Sequence, residues 1–178
     1  MKLVFYAIGC TFALWSISCK KISELTKFDM KYNCETTIQA GVARLIPFDI
    51  NTPDVETQSE DQFEGHNTAK NLIETITLKE MKITITNPED QSFDFLKSIE
   101  VYISADSQEE LKAAWKNNMP DAGVKEIVLE CSNANLKPYL MNDKYKLRLK
   151  TTTDKVLNKD VTIRISNTFR VDAKILGL

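Results

Sequence analysis

Polar and apolar residues alternate with period two along most of this chain, and this pattern restricts the fold more than any other feature. In residues 27–40 the apolar positions include Phe28, Met30 and Tyr32, with charged or amide residues between them. Successive side chains of a β-strand point to opposite faces, so the alternation predicts a strand with one buried face. The same reading applies to 42–50, 76–87, 93–103, 124–131, 144–150 and 161–175.

These segments follow one another at short spacing, with turn residues between them and no helix long enough for a βαβ crossover. They predict an all-β fold, an antiparallel immunoglobulin-like β-sandwich of seven to nine strands, with a closed barrel as the alternative. Segment 106–118 fits a helix or a strand, and the surrounding strands favour a strand. Short helical turns are expected from Ser59 and over 136–140, and a hairpin connection over 151–159.

Two irregularities are expected within the strands. The apolar residues of 76–87 change parity at Lys79 and Glu80, which one extra residue would produce. This shift predicts a β-bulge. Asn167 interrupts the apolar positions of the last strand and marks a second candidate for a bulge.

The first nineteen residues follow a different pattern. Lys2 precedes an apolar run over 3–15, the mostly small residues 16–18 follow, and Cys19 comes next. The order of basic, apolar and small residues is typical of a secretory signal, and the run falls short of the roughly 20 residues of a transmembrane helix. We therefore expect a signal peptide over 1–18, a tether over 19–27 and one β-sandwich domain over 28–178.

Ile17, Ser18 and Cys19 resemble the lipobox of bacterial lipoproteins, in which the cysteine is acylated and becomes the first residue of the mature chain. The resemblance implies palmitate or similar acyl chains on Cys19, a lipid bilayer as partner, and a lipid-anchored location in the cell envelope, at the periplasmic face or the outer membrane. The alternatives are a signal without lipidation and a buried N-terminal strand. The phrases FDFLKSIEVYISA, LKPYL and FRVDAKILGL also resemble small uncharacterised bacterial lipoproteins of β-sandwich build, which implies no activity.

The cysteines, the net charge and the single histidine further restrict the chemistry that the chain can perform. Cys34 and Cys131 are candidates for a disulfide, which exported proteins retain, and the alternative is two buried thiols. The net charge of −2 lacks the basic stripe that nucleic acid requires. His66 is the only histidine, and its polar surroundings predict a solvated side chain rather than a catalytic base.

No catalytic, cofactor-binding or metal-binding motif is recognisable. The acidic residues of 51–67 lack the order of a calcium-binding loop, and the cysteines lack zinc-site spacing. We therefore expect a non-enzymatic, membrane-anchored envelope lipoprotein that acts as a binding or structural module for a protein or glycan partner.

Aromatic residues suggest the alternative of a carbohydrate-binding module. Tyr102 and Trp115, with Phe93 and Phe95, could supply a platform for sugar rings, although aromatic residues of a sandwich are more often core residues. Tyr102 is the strongest candidate, because its parity is opposite to that of its apolar neighbours. A hydrolase with an unrecognised site is the third hypothesis.

Overall fold

The computed structural model describes residues 26–119 and 122–174. The predicted signal peptide, Cys19 and nearly all of the predicted tether lie outside the described residues. Within the described ranges, no helix is long and apolar enough to span a bilayer.

The described residues form ten strands and two short α-helices. The strands are β1 Lys27–Ile38, β2 Phe48–Asn51, β3 Val55–Glu56, β4 Ile73–Asn87, β5 Leu96–Ala105, β6 Gln108–Asn117, β7 Glu126–Val128, β8 Glu130–Cys131, β9 Lys144–Thr153 and β10 Val161–Ala173. The helices are α1 Ser59–Gly65 and α2 Lys137–Leu140, with 3-10 turns at Lys70–Leu72 and Phe93–Phe95. Both predicted helical turns are confirmed, and segment 106–118 forms strand β6, as the sequence favoured.

The strands form two antiparallel sheets that enclose the core, so the predicted all-β sandwich is confirmed. One sheet has the order β1-β10-β4-β7, and the other has the order β2-β9-β5-β6-β8, with β3 also paired to β9. The ten strands exceed the predicted seven to nine by one, and β3 and β8 have only two residues each. Among consecutive strands, only the pairs β2–β3, β5–β6 and β8–β9 lie in the same sheet. The order β1-β10-β4-β7 in one sheet and β2-β9-β5-β6 in the other is that of a jelly roll.

Two predictions about connections are wrong. The expected strand over 42–50 is reduced to β2, because Gly41 and Leu45 have positive φ angles of 78° and 60° and turn the chain toward the other sheet. The expected hairpin over 151–159 is a crossover, because β9 and β10 belong to different sheets.

The predicted bulge at Lys79 and Glu80 is confirmed. Glu80 lies opposite Thr168 and Leu78 lies opposite Phe169, so Lys79 has no opposite residue in β10. Asn167 forms no bulge, contrary to the prediction, and it pairs regularly with its neighbours in β1 and β4.

Alternation places the apolar side chains between the two sheets. Tyr32, Tyr145 and Phe169 meet edge to face at the centre, with ring centroids 5.9 Å apart. Asn167 lies beside them, is 1% exposed, and donates through Nδ2 to Tyr145 Oη at 3.1 Å. Phe93 and Phe95 are also buried, which confirms the core reading of these two rings.

Candidate functional site

Tyr102, the first predicted ligand-binding residue, lies on the outer face of the six-stranded sheet. Its hydroxyl donates to Glu100 Oε2 at 2.9 Å, and the Arg148 guanidinium stands 4.4 Å from the ring centroid. Arg148 is itself held by Glu110, at 2.8 and 2.5 Å, and by Asp49 at 2.5 Å. A cation fixed by two carboxylates therefore covers the ring face that a sugar would need.

Trp115, the second predicted residue, lies on the same outer face in the neighbouring strand. It is partly exposed, and its Nε1 donates to Glu130 Oε2 at 3.1 Å. Lys112 Nζ lies 5.4 Å from the indole centroid and 3.1 Å from Glu100 Oε1. The pair formed by Glu100 and Lys112 separates the indole from Tyr102, so the two rings do not form a continuous platform.

The charged groups of this face satisfy one another. The Tyr102 hydroxyl and the Lys112 ammonium lower the pKa of Glu100, and the Arg148 guanidinium lowers the pKa of Glu110. The hydrogen bonds that Arg148 donates to the carboxylates of Glu110 and Asp49 raise the pKa of Arg148. These contacts link four neighbouring strands, β2, β9, β5 and β6. Their first effect is therefore to stabilise the pairing of these strands.

Cys34 and Cys131 do not form the candidate disulfide; both are free thiols, as in the alternative that the sequence left open. Cys34 lies in β1, an edge strand of the four-stranded sheet, whereas Cys131 lies in β8 at the far edge of the other sheet. Burial raises the pKa of the Cys34 thiol to about 11 and raises the pKa of Cys131 as well. Both are therefore protonated, weakly nucleophilic thiols at neutral pH.

His66 follows α1 and is exposed, as predicted, yet its ring is not isolated. It stacks on Phe28 of β1, with ring centroids 4.1 Å apart and an angle of 16° between the planes. In the part of the chain that the structure describes, no group of three or more His, Cys, Asp or Glu side chains is placed to hold a metal ion.

The sheet order brings four connections together at one end of the sandwich, which we call the loop end. β1 begins at Lys27 beside Asp172 and finishes at Ile38 beside Val161, so both ends of the described chain lie at the opposite end. The loop end is formed by 39–47, 154–160, 88–95 and the described parts of the β6–β7 connection, 118–119 and 122–125, in that order across the sandwich.

Three of the four large hydrophobic side chains that are exposed among the described residues lie at the loop end. Leu45, Ile46 and Val156 are 57%, 60% and 55% exposed, and we call these three residues the apolar tip. The backbone beneath them is fixed: Leu45 N–H donates to Thr153 O at 2.7 Å, and Gly41 N–H donates to Leu157 O at 3.0 Å. The side chains are thus held in solvent by a braced pair of loops.

A cleft of about 270 Å³ lies beside the apolar tip, between 88–95 and 154–160. Phe95 and Leu157 contribute apolar surface to it, and charged side chains including Asp94 and Lys155 line the rest. Asp94 Oδ1 accepts from Gly123 N–H at 2.9 Å, and this bond does most to lower the pKa of Asp94. The carboxylate therefore joins two of the loops to each other.

Sequence reasoning missed the loop end. The loops come together only through the sheet order, which local patterns do not encode. One signal was present: Leu45 and Ile46 are consecutive apolar residues inside a segment predicted as an alternating strand, and a strand would have turned one of them outward.

Comparison with known proteins does not add a family. No family model matches the chain, and no curated protein matches it. Among solved structures it is similar to desmodium yellow mottle tymovirus, with 14% identity over 85% of this chain and 91% of that chain and a TM-score of 0.32. It is also similar to the empty head of turnip yellow mosaic virus, with 14% identity over 84% and 82% and a TM-score of 0.33. These similarities are too weak to inform fold or function.

Proposed function

We propose that this protein is an exported, non-enzymatic binding module of the cell envelope, anchored to a membrane through an acylated Cys19. The observation that carries the proposal is the placement of both ends of the described chain away from the loop end. Ala173 N–H donates to Thr26 O at 3.2 Å, so the chain enters and leaves the sandwich side by side. An anchor at Cys19 would hold the domain by this end and leave the four loops available for contact.

The dimensions suit such an arrangement. The eight residues 19–26 reach about 28 Å at full extension. β1 has twelve residues and extends about 40 Å from the anchored end to the loop end. Two or more acyl chains make a membrane anchor stable, so the module would stay at the surface while its loops explore the adjacent space.

Metabolic labelling with palmitate tests the anchor directly. We expect label in the wild type and in Cys10→Ala, and loss of label in Cys19→Ala, because only Cys19 follows an apolar run of sufficient length. Cys10→Ala is the matched control, since it removes the other cysteine of the N-terminal segment. Equal label in wild type and Cys19→Ala would end the proposal.

Glycan binding at Trp115 is a second candidate, favoured by the partly exposed indole on the outer face of the larger sheet. Binding would have to displace Lys112 from the ring, so only modest affinity is expected. A glycan array should show signals that Trp115→Ala abolishes and Phe28→Ala keeps. An array without any wild-type signal would remove this candidate.

A further inference from the structure

We infer that the loop end docks on the bilayer to which the protein is anchored, with the apolar tip inserted at the boundary between headgroups and acyl chains. This inference rests on the proposed function for the anchor that keeps the domain within reach of the membrane. Four features of the loops support it.

The first feature is the shape of the apolar tip. Leu45, Ile46 and Val156 protrude from loops and are each more than half exposed. Burial of such aliphatic surface is favourable in any apolar surrounding. A bilayer receives protruding side chains without a matching pocket, whereas a protein partner would need one.

The second feature is the satisfied backbone beneath the tip. Gly41 and Leu45 N–H groups donate to carbonyls of the neighbouring loop at 3.0 and 2.7 Å. An unpaired backbone group in a bilayer is costly, and loops that satisfy each other reduce this cost. The pair of loops can therefore approach the interface together.

The third feature is the placement of charge. Arg44 directly precedes Leu45, and Lys155 directly precedes Val156. Long basic side chains can bury their stems and keep their charge at anionic headgroups. Arg44 Nε donates to Asp154 O at 2.6 Å, which holds this basic side chain across the two loops. Asp154 Oδ1 is buried, whereas Asp160, which accepts from Ala40 N–H at 2.7 Å, is exposed.

The fourth feature is the position of the apolar tip at one side of the loop end. This position favours docking on the anchor's own membrane over docking on a facing membrane. Segments 39–47 and 154–160 lie at the β1–β2 edge, and the more acidic segment 88–95, with Glu89 and Asp90, lies beyond them. An end-on approach to a facing membrane would bring these carboxylates to anionic headgroups. If the domain tilts so that its β1–β2 edge faces the membrane, these carboxylates stay away from the headgroups. The tether also raises the effective concentration of the anchor's own bilayer at the apolar tip.

Fluorescence quenching by brominated lipid tests the insertion. The acylated full chain is reconstituted in vesicles of phosphatidylethanolamine and phosphatidylglycerol, in a Trp15→Phe/Trp115→Phe background that removes both natural tryptophans. Ile46→Trp should be quenched and blue-shifted, whereas Val128→Trp should not. Val128 is the matched control because it is a 50% exposed aliphatic residue of β7, outside the loop end. Equal quenching of the two variants, or none in either, overturns the inference.

Two further readouts separate the outcomes. Palmitate label on the same preparation reports the anchor: labelled protein without Ile46→Trp quenching overturns the docking and leaves the anchor standing. Unlabelled protein whose Ile46→Trp is still quenched overturns the anchor and its tethering role. Added protein-free vesicles test docking to a facing bilayer. Vesicle clustering that Leu45→Glu/Ile46→Glu abolishes and Val128→Glu keeps would show such docking. That result would overturn the choice of the anchor's own membrane.

Discussion

Asn167 shows at the residue scale how a single polar side chain can mislead a reading of the pattern. The sequence reads it as a break in an apolar face, and a bulge is one way to make such a break. The structure instead keeps Asn167 in phase and buried, with its Nδ2 bonded to Tyr145 Oη and its Oδ1 without a protein partner. Whether a buried amide finds an acceptor depends on a residue more than twenty positions away, which periodicity does not report.

Removal of that acceptor should be costly. In Tyr145→Phe the buried Asn167 amide loses its partner, and we expect the free energy of unfolding to fall by about 1–3 kcal/mol. The double variant Tyr145→Phe/Asn167→Leu should recover most of this loss, since neither polar group is then left unpaired. Urea unfolding of both variants measures the effect. A double variant that is as unstable as the sum of its single changes would contradict this account.

The ionisation of Asp29 makes the stability of the protein depend on pH. Hydrogen bonds from Arg170 and Lys79 lower the pKa of Asp29 below the ordinary value of an aspartate side chain. The contribution of the ionised carboxylate to stability is therefore fully present above the unfolded pKa and is lost as the pH falls through the lowered folded pKa.

We expect Asp29→Asn to be less stable than wild type at neutral pH and to lose less stability on acidification to about pH 3. Free energies of unfolding measured at the two pH values for both proteins test this expectation. Identical acid losses in the two proteins would show that Asp29 does not titrate as the structure indicates.

At the scale of the element, the bulge in β4 lies where the sequence predicts it. The change of parity at Lys79 required an extra residue, and the structure places that residue opposite a gap in the pairing of β10. Since two outward residues lie side by side at the bulge, removal of one of them restores regular alternation without turning any apolar side chain outward.

Deletion of Lys79 should therefore be tolerated, at a cost of about 1 kcal/mol or less for the lost ion pair with Asp29. Deletion of Lys82, a regularly paired residue of the same strand, should destabilise the protein much more, because loss of the bulge would then turn Met81 outward and Glu80 into the core. Thermal unfolding followed by circular dichroism compares the two deletions. Equal effects would show that the bulge does not set the register.

The strands could be predicted because alternation is local, but the connections could not. Whether a turn joins neighbours in one sheet or crosses to the other depends on the jelly-roll order, and the prediction of a hairpin over 151–159 is wrong for this reason. The same holds for the candidate site. The parity of Tyr102 correctly predicts its position on an outer face. The contact of its ring with Arg148 could not be predicted, because Arg148 lies more than forty residues later in the chain.

At the scale of the whole molecule, the two cysteines of the domain lie on different sheets and edges. We therefore expect the same unfolding temperature with and without reductant, and reaction of both the Cys34 and the Cys131 thiol after denaturation without reductant, because no disulfide joins them. Thiol titration in denaturant together with thermal scans measures both. A fall in unfolding temperature on reduction would contradict the described separation.

The described part of the chain has two structurally different ends: the chain enters and leaves at one, and braced loops present aliphatic side chains at the other. We propose that the first end is tied to a membrane through Cys19. Mass spectrometry of the N-terminal peptide from membrane-extracted protein tests this most directly. The account predicts a peptide that begins at Cys19 and carries the mass of acyl chains; an unmodified peptide that begins at any other residue would contradict it.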